Sequence, residues 1–197
     1  PPYRQDITLE VDLIEEVARM KGLDSIAPTL PASSSHGYRT PAQKALKELR
    51  EACMGLGLYE VINYSFLSPK EDDRMLLAAD HSWRKHLVIS NPLSEEQSVM
   101  RNNMIPGMLQ TVARNHSRRN LDLGLFETGT VFQLQDDGSL IENPAFAIAL
   151  SGEKDNGWQG QKEEQDYFVI KGIFEALAAK FNLSQLSFKP LNNEEYP

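Results

Sequence analysis

The sequence predicts an α+β fold in which an antiparallel sheet is flanked by helices. Several segments carry apolar residues at helical spacing, whereas residues 121–134 and 141–150 have the pattern of strands. These two predicted strands are joined across Asp136-Asp137-Gly138, which is a strong hairpin turn signal. Because helices separate some strands and a tight turn joins others, the pattern favours a largely antiparallel sheet over a doubly wound one.

The first 30 residues are predicted to form a short strand and a helix. Residues 3–10 have the pattern of a strand that ends in a turn. A helix follows from about Asp12 to Lys21, and Gly22 ends it because glycine readily adopts a left-handed conformation. The apolar stripe of this helix consists of Leu13, Ile14, Val17 and Ala18.

A linker is predicted between two domains. Residues 31–37 contain Pro31, three consecutive serines and Gly37, a composition typical of a connecting segment. We therefore expect one domain over residues 1–30 and a second over residues 38–197.

The second domain is predicted to begin with a helix, because Thr40 is a good cap, Pro41 suits the first turn and Gln43 can reach back to the cap. Gly55 and Gly57 end this helix. The later elements are, in order, a strand over 58–67, a helix starting at 68–71, a short strand over 86–90, a helix over about 106–118, the hairpin, and a helix over about 166–181.

Composition and charge are those of an ordinary globular protein. The 197 residues are 41% hydrophobic and 24% charged, which is enough to form a buried core. The formal net charge of −8 argues against a broad phosphate-binding surface. The basic cluster of Arg114, Arg118 and Arg119 is more typical of a solvated helix end than of a tRNA contact.

The ends of the chain and its cysteine content indicate what kind of polypeptide it belongs to and in which compartment it is found. The chain starts with Pro1 rather than Met and stops at Pro197, so we expect a C-terminally truncated internal piece of a longer polypeptide. A single cysteine, Cys53, excludes an internal disulfide and favours a reducing, cytoplasmic compartment. No apolar run reaches the roughly 20 residues of a membrane span, and no signal peptide is visible.

Four acidic residues near the start are candidate ligands for a divalent cation. Asp12, Glu15 and Glu16 stand at i, i+3 and i+4, so they project from one side of a helical turn, and Asp6 can fold back over that turn. Carboxylates without His or Cys suit a hard cation such as Mg²⁺. Asp12 and Glu15 fit a helix cap equally well, and on spacing alone the capping interpretation is favoured.

A second candidate site pairs Arg101 with Glu127, which lies on a predicted strand. The two side chains could clamp a phosphate, or they could form an interior ion pair that fixes a loop, and the ion pair is the favoured interpretation. The four histidines are scattered, and the sequence contains no nucleophile elbow, P-loop or dinucleotide-binding loop.

Several blocks, in the same order, resemble the beta subunit of bacterial phenylalanyl-tRNA synthetase. The first is similar to the end of that family's B5 domain and consists of RQDI at 4–7 and DLIEEVARMKG at 12–22. The later blocks are LGLYEVINYSF at 56–66, NPLS at 91–94, MRNNMIPGML at 100–109, LFETGTVF at 125–132 and DYFVIKG at 166–172. Each block alone is a weak signal, but the ordered set is specific and runs nearly end to end.

This resemblance implies that residues 38–197 form a catalytic-like module with the fold of a class II aminoacyl-tRNA synthetase. In that family the alpha subunit uses ATP to make phenylalanyl-adenylate and charges tRNA(Phe), while the beta module packs against alpha in an (αβ)₂ assembly. The resemblance also implies a Mg²⁺ ion, shared with the alpha subunit, at the positions of Asp6, Asp12, Glu15 and Glu16. We expect this site to need the alpha subunit.

The residues themselves fit a module without an active site. No Gly-x-Gly-x-x-Arg follows the strand at 126–132, and Gly124 and Leu125 stand where an arginine would precede Glu127 in an active core. We therefore expect a non-catalytic scaffold and alpha-docking module, with no catalytic or ATP-binding residue of its own. The alternatives left open are a catalytically competent class II core and a tRNA-binding module centred on Arg114, Arg118 and Arg119.

Overall fold

A computed structural model describes residues 3–32, 34, 36–135, 137–154, 158, 160 and 162–190. The chain divides into two compact units, Pro1–Tyr38 and Arg39–Pro197. The domain limits expected from the sequence, with a linker at 31–37, stay a prediction. Ser33 and Ser35 of that segment lie outside the described residues.

The first unit contains helix α1, Glu10–Lys21, and a short 3₁₀ turn, Leu23–Ser25. The strand predicted over residues 3–10 is wrong: residues 3–9 form turns, because the carboxylate of Asp12 takes the backbone N–H groups of Thr8 and Leu9. The Asp12 carboxylate thus serves as the reciprocal acceptor of a capping box, and the two N–H groups are not available to a strand ladder. Gly22 ends α1 with a φ of +94°, and its N–H donates to the carbonyl of Ala18.

The second unit begins with helix α2, Pro41–Gly55. Thr40 Oγ1 accepts from the N–H of Gln43 at 3.3 Å, and Gln43 Oε1 accepts from the N–H of Thr40 at 2.9 Å. This is the reciprocal cap that the sequence predicted. The remaining helices are α3 (Glu71–Arg74), α4 (Ile105–His116) and α5 (Tyr167–Lys180), with 3₁₀ turns at Ser82–Arg84 and Glu95–Gln97.

The principal sheet has the order β1-β4-β5, with β1 at Tyr59–Glu60, β4 at Leu123–Leu134 and β5 at Leu140–Ser151. Strands β4 and β5 form the predicted antiparallel hairpin, whereas the short β1 runs parallel to β4. In the connecting turn Gly138 has a φ of +81° and Asp137 accepts from Ser139, while Asp136 lies outside the described residues. The predicted α+β class is confirmed.

Two predicted strands are shorter than expected. The segment 58–67 contains only β1 and, after an irregular stretch, β2 (Phe66–Leu67), which pairs with β3 (Val99–Met100). The irregular stretch arises because the N–H of Asn63 donates to the Glu127 side chain instead of to a strand. The segment 86–90 forms a single bridge, Val88 to Val99. Strands β6 (Glu153–Lys154) and β7 (Glu163–Glu164) form a small separate ladder.

Helices cover both faces of the principal sheet. On one face Cys53 of α2 and Ile173 and Leu177 of α5 pack around Phe126. On the other face Met108 of α4 packs against Leu123 and Leu125. Successive strand residues point to opposite faces, so β4 contributes to both cores. In the part of the chain that the structure describes, no helix is long and apolar enough to cross a membrane.

The reciprocal cap of α2 can be tested by substitution. Thr40→Ala removes the side-chain acceptor for the N–H of Gln43 and is expected to lower the free energy of unfolding by about 1 kcal/mol. Thr40→Ser keeps a hydroxyl in the same place and should lie close to the parent protein. Urea unfolding followed by the fluorescence of Trp83 and Trp158 measures the difference. Equal stability of the Ala and Ser variants would contradict the capping role.

Candidate functional site

Three of the four predicted metal ligands bind partners within the first unit. Arg4 donates to both oxygens of Asp6 at 2.8–3.1 Å, and its Nη2 donates to Glu16 Oε1 at 2.9 Å. Arg19 Nη2 donates to the other oxygen of Glu16 at 2.5 Å. A single guanidinium therefore bridges Asp6 and Glu16.

Asp12 is the third residue of α1 and not its N-cap, which is Leu9. Its Oδ2 accepts from the N–H of Leu9 at 2.7 Å and from the N–H of Thr8 at 2.8 Å, so Asp12 takes part in capping from the reciprocal position, because the helix begins two residues earlier than the sequence predicted. Glu15 is exposed and makes no hydrogen bond or ion pair with the residues that the structure describes, so the reciprocal role in the cap that its spacing suggested is not formed. The spacing did not predict which partner each carboxylate binds.

Hydrogen bonds keep these carboxyl groups ionised. The N–H groups of Leu9 and Thr8 hold the pKa of Asp12 below its usual value, and Arg4 does the same for the pKa of Asp6. The pKa of Glu16 is lowered by Arg19 and then by Arg4. All three groups carry full negative charge at neutral pH, as ligands of a cation must.

The donor chemistry suits Mg²⁺, because carboxylate oxygens are its preferred protein ligands. The arrangement of the side chains does not suit the ion. Within the described ranges, no three His, Cys, Asp or Glu side chains are grouped closely enough to hold a metal ion. Arg4 lies at the point where Asp6 and Glu16 converge, and Asp12 is bound to the backbone. As folded here, the four residues do not form a metal site by themselves.

The second candidate site is a buried network in the second unit. Arg101 Nη1 donates to Glu127 Oε1 at 2.6 Å, and both side chains are buried, with 6% and 2% of their surface exposed. Arg101 Nε donates to the carbonyl of Thr130, while Glu127 Oε2 accepts from Asn63 Nδ2 at 2.7 Å. The side-chain Oδ1 of Asn63 in turn accepts a hydrogen bond from the hydroxyl of Thr111 at 2.6 Å.

This network confirms the ion-pair interpretation of Arg101 and Glu127. Both carboxylate oxygens of Glu127 accept hydrogen bonds from Asn63 or Arg101, and the side chain is buried, so neither oxygen is accessible to a ligand. A phosphate cannot reach a guanidinium that is 6% exposed. The network links β4, the irregular stretch after β1 and the middle of α4.

Gly129 makes room for the guanidinium of Arg101. A Cβ atom at position 129 would lie 2.0 Å from Arg101 Nη2 and 3.2 Å from its Cζ, well inside van der Waals contact. The guanidinium cannot move aside, because Glu127 and the carbonyl of Thr130 hold it. The sequence contained this signal as a glycine inside a strand pattern, where close approach of another group is a common cause.

Sequence reasoning missed a buried pair between Asp72 and His86. His86 Nε2 lies 2.8 Å from Asp72 Oδ2, with both side chains less than a tenth exposed, and the neighbouring Glu71 pairs with Arg74. The partners are 14 positions apart, which is not a recognisable spacing, so a search for metal or catalytic motifs could not find them. The pair fixes α3 against the segment before β3.

The basic cluster lies where α4 ends. Arg114 is in the last turn of the helix, and Arg119 has a φ of +63°, a left-handed conformation that stops it. Arg114, Arg118 and Arg119 are all exposed and make no ion pair within the part of the chain described. Such positions are typical of cations at a helix C-terminus, where they complement the helix dipole.

The fit between Gly129 and Arg101 leads to a stability prediction. Gly129→Ala places a methyl group against a pinned guanidinium and is expected to lower the free energy of unfolding by about 3 kcal/mol. Gly172→Ala is the matched control, because a Cβ there meets nothing within 4 Å and alanine favours a helix. Urea unfolding of both variants compares them. Equal effects of the two substitutions would show that the approach at position 129 is not constraining.

The chain has relatives among proteins of known name. Residues 26–196 match the family model described as the phenylalanyl tRNA synthetase beta chain CLM domain, and residues 1–23 match the tRNA synthetase B5 domain. The phenylalanine–tRNA ligase beta subunit of Moorella thermoacetica is 38% identical over 193 residues, which are 98% of this chain and 24% of that protein. The same subunit of Syntrophotalea carbinolica is 36% identical over 199 residues, 100% of this chain and 25% of that protein. The chain thus spans about a quarter of the length of these relatives.

Similar solved structures include the pyrrolysyl-tRNA synthetase of Desulfitobacterium hafniense, with a TM-score of 0.46, 13% identity, and coverage of 68% of this chain and 43% of that one. A histidine–tRNA ligase subunit of Alicyclobacillus acidocaldarius has a TM-score of 0.46, 12% identity, and coverage of 78% and 42%. One family model matches residues 26–196. The two named beta subunits are 38% and 36% identical to this chain over 98% and 100% of its length. The chain belongs to the phenylalanyl-tRNA synthetase beta chain family.

Proposed function

We propose that this chain is a non-catalytic scaffold of a cytoplasmic phenylalanine–tRNA ligase and that it docks the alpha subunit in an (αβ)₂ heterotetramer. The whole assembly attaches phenylalanine to tRNA(Phe) with ATP, and the alpha subunit performs the chemistry. The observation that carries this proposal is the buried Arg101–Glu127 pair. Glu127 lies on β4, the strand that would contribute to the ATP site of an active core, and here its carboxylate is bound by Arg101 and Asn63 inside the protein.

The packing of β4 supports the absence of an ATP site. An active class II core needs an arginine ahead of the strand glutamate, where this chain has Gly124 and Leu125. A Cβ atom at Gly124 would lie 3.1 Å from the Leu58 side chain, and Leu125 is buried against Met108 of α4. A long charged side chain at either position would have to displace part of a hydrophobic core.

The two alternative functions make different predictions. A competent class II core would bind ATP and phenylalanine, so calorimetry with either ligand on the purified chain should show heat of binding. A tRNA-binding module would use Arg114, Arg118 and Arg119, and its affinity for tRNA would fall steeply with salt. The net charge of −8 and the position of the cluster at a helix end both weigh against the second alternative.

The scaffold proposal predicts a stable complex with the alpha subunit. Co-expression of the 197-residue chain with the cognate alpha subunit should give a complex on size-exclusion chromatography with light scattering. If the assembly is obligate, the buried interface should exceed about 2,000 Å². The complex should charge tRNA only when the active site of the alpha subunit is intact. A chain that stays monomeric beside the alpha subunit would overturn the proposal.

We further propose that Asp6, Asp12, Glu15 and Glu16 supply this chain's half of a Mg²⁺ site, which the alpha subunit completes. The support is the family pattern, the donor chemistry and the location of all four carboxylates within 11 positions of the sequence. A bound Mg²⁺ would supply the positive charge that lets acidic groups of two subunits meet.

Glu15 gives a clean test of this half-site. Because Glu15 has no partner in the described part of the chain, Glu15→Gln should leave the fold unchanged but weaken assembly at limiting Mg²⁺. Glu10→Gln, which neutralises another acidic residue of α1 outside the proposed set, is the matched control. Light scattering of chelator-treated complex during a Mg²⁺ titration measures the requirement. Assembly that ignores the chelator, or equal behaviour of the two variants, would remove the metal from the proposal.

A further inference from the structure

Two large side chains are exposed side by side on the stretch that follows β1. Ile62 is 91% exposed and Tyr64 is 74% exposed, whereas Asn63 is half-buried and Val61 packs against the cluster around Met108. Burial therefore alternates with a period of two, as it does along a strand that has a core on one side. Large apolar side chains that are exposed together mark a contact surface more often than isolated ones do.

This exposed stretch is held in place by the rest of the second unit. The N–H of Val61 donates to the carbonyl of Phe126 at 2.8 Å, and the N–H of Asn63 donates to the Glu127 side chain at 3.2 Å. The Asn63 side chain is bound to the same carboxylate at 2.7 Å. A ligand that binds here does not have to order a loop, so little of its binding free energy is lost to that cost.

The stretch also presents unpaired backbone donors. The N–H groups of Val61 and Asn63 are directed at β4, and neither Ile62 nor Tyr64 donates a backbone hydrogen bond to any residue that the structure describes. Their N–H groups continue the outer side of β1, which is an edge strand of the principal sheet. An edge with open N–H groups at every second position is a template for the carbonyl groups of another strand.

A cleft of about 660 Å³ lies beside this edge, and its charged side chains are Lys70, Glu71, Arg74, Glu96 and Arg114. Arg74 pairs with the buried Glu71 at 2.6 Å. Lys70 and Arg114 are exposed and form no ion pair within the described ranges. Two unpaired cations thus remain against the single acid Glu96, so the cleft is locally positive on a chain whose net charge is −8.

We propose that this edge and cleft bind an extended acidic segment of a partner protein, which adds a strand beside β1. Its backbone carbonyls accept from the N–H groups of Ile62 and Tyr64, and its apolar side chains cover those two residues. Its carboxylates pair with Lys70 and Arg114. Neither the Mg²⁺ half-site nor the alpha subunit is needed for this inference, which goes beyond the scaffold function.

A single-stranded nucleic acid is the competing occupant, because aromatic side chains and cations also bind bases and phosphates. Two observations favour the peptide. The open N–H groups of Ile62 and Tyr64 repeat at the spacing of a peptide strand. Glu96 in the cleft and the net charge of −8 oppose a polyanion, whose affinity depends on clustered cations.

The charge contacts can be tested with a labelled peptide that alternates glutamate and valine. Its fluorescence anisotropy is measured while the purified 197-residue chain is added. Arg114→Glu is expected to weaken binding at least about tenfold, because an attractive contact becomes repulsive, and Lys70→Glu should act in the same way. Arg118→Glu is the matched control: it makes the same charge change at a residue that does not line the cleft, and its affinity should stay within about twofold of the parent.

The added strand can be tested at Ile62. Ile62→Pro removes an N–H that no described residue uses, so the hydrogen bonds of the fold stay intact. Ile62→Ala removes the side chain but keeps the N–H. The Pro variant should bind the peptide about fivefold more weakly than the Ala variant, because one hydrogen bond to the partner backbone is lost. Far-UV circular dichroism of both variants is the folding control.

Each result either supports or overturns the proposal. It is overturned if the parent chain does not bind the peptide, or if Arg114→Glu and Arg118→Glu bind it equally well. It is also overturned if a peptide with lysine in place of glutamate binds as tightly, or if a labelled single-stranded RNA binds more tightly than the acidic peptide. Equal affinity of two correctly folded variants, Ile62→Pro and Ile62→Ala, overturns the strand addition.

Discussion

The ion pair between Arg101 and Glu127 is held at 2.6 Å in the interior of the second unit, and three parts of the chain are built around it. The backbone N–H of Arg101 donates to the carbonyl of Ser65, and the Arg101 carbonyl accepts from the N–H of Phe132. These two bonds place β4 beside the segment that precedes β2. Moving two charges from water into the interior costs roughly several kcal/mol of free energy. This cost is offset only if the polar atoms of both side chains find hydrogen-bond partners. Asn63 and the carbonyl of Thr130 supply those partners, so the pair constrains the positions of its neighbours as much as it stabilises them.

The carboxylates of the first unit differ from this pair because they are partly exposed to water. Asp6 and Glu16 bind arginines near the surface, where water competes for the same groups and each contact is individually weak. An interior pair such as Arg101–Glu127 cannot open to admit a ligand without exposing an unpaired buried charge. A surface pair can exchange one cation for another at small cost. The half-site that we propose for these carboxylates therefore needs no interior pair to open.

The sequence predicted the local features well, because their causes are local. The Thr40–Gln43 cap, the β4–β5 hairpin and the end of α1 at Gly22 each depend on residues within a few positions of one another. One failure is local, because the strand expected over residues 3–10 is lost to the Asp12 side chain only three to four positions away. The failure in the second unit has a long-range cause. The strand expected over 58–67 is interrupted because the carboxylate of Glu127, 64 positions away from Asn63, takes its N–H group. The Arg101–Glu127 pair was predicted from residue type, but Gly129 as the space for its guanidinium needed the structure.

The candidate metal site shows why spacing alone could not separate a cap from a ligand. Four carboxylates within 11 positions repel one another, and cations or hydrogen-bond donors close to them reduce that repulsion. Here the backbone N–H groups before α1 neutralise Asp12, and Arg4 and Arg19 neutralise Asp6 and Glu16. An oxygen that caps a helix in one state is chemically able to bind a cation in another, since both uses need an ionised carboxylate. The same spacing therefore suits both uses, and only the fold shows that backbone N–H groups and arginines are the partners of Asp6, Asp12 and Glu16 here.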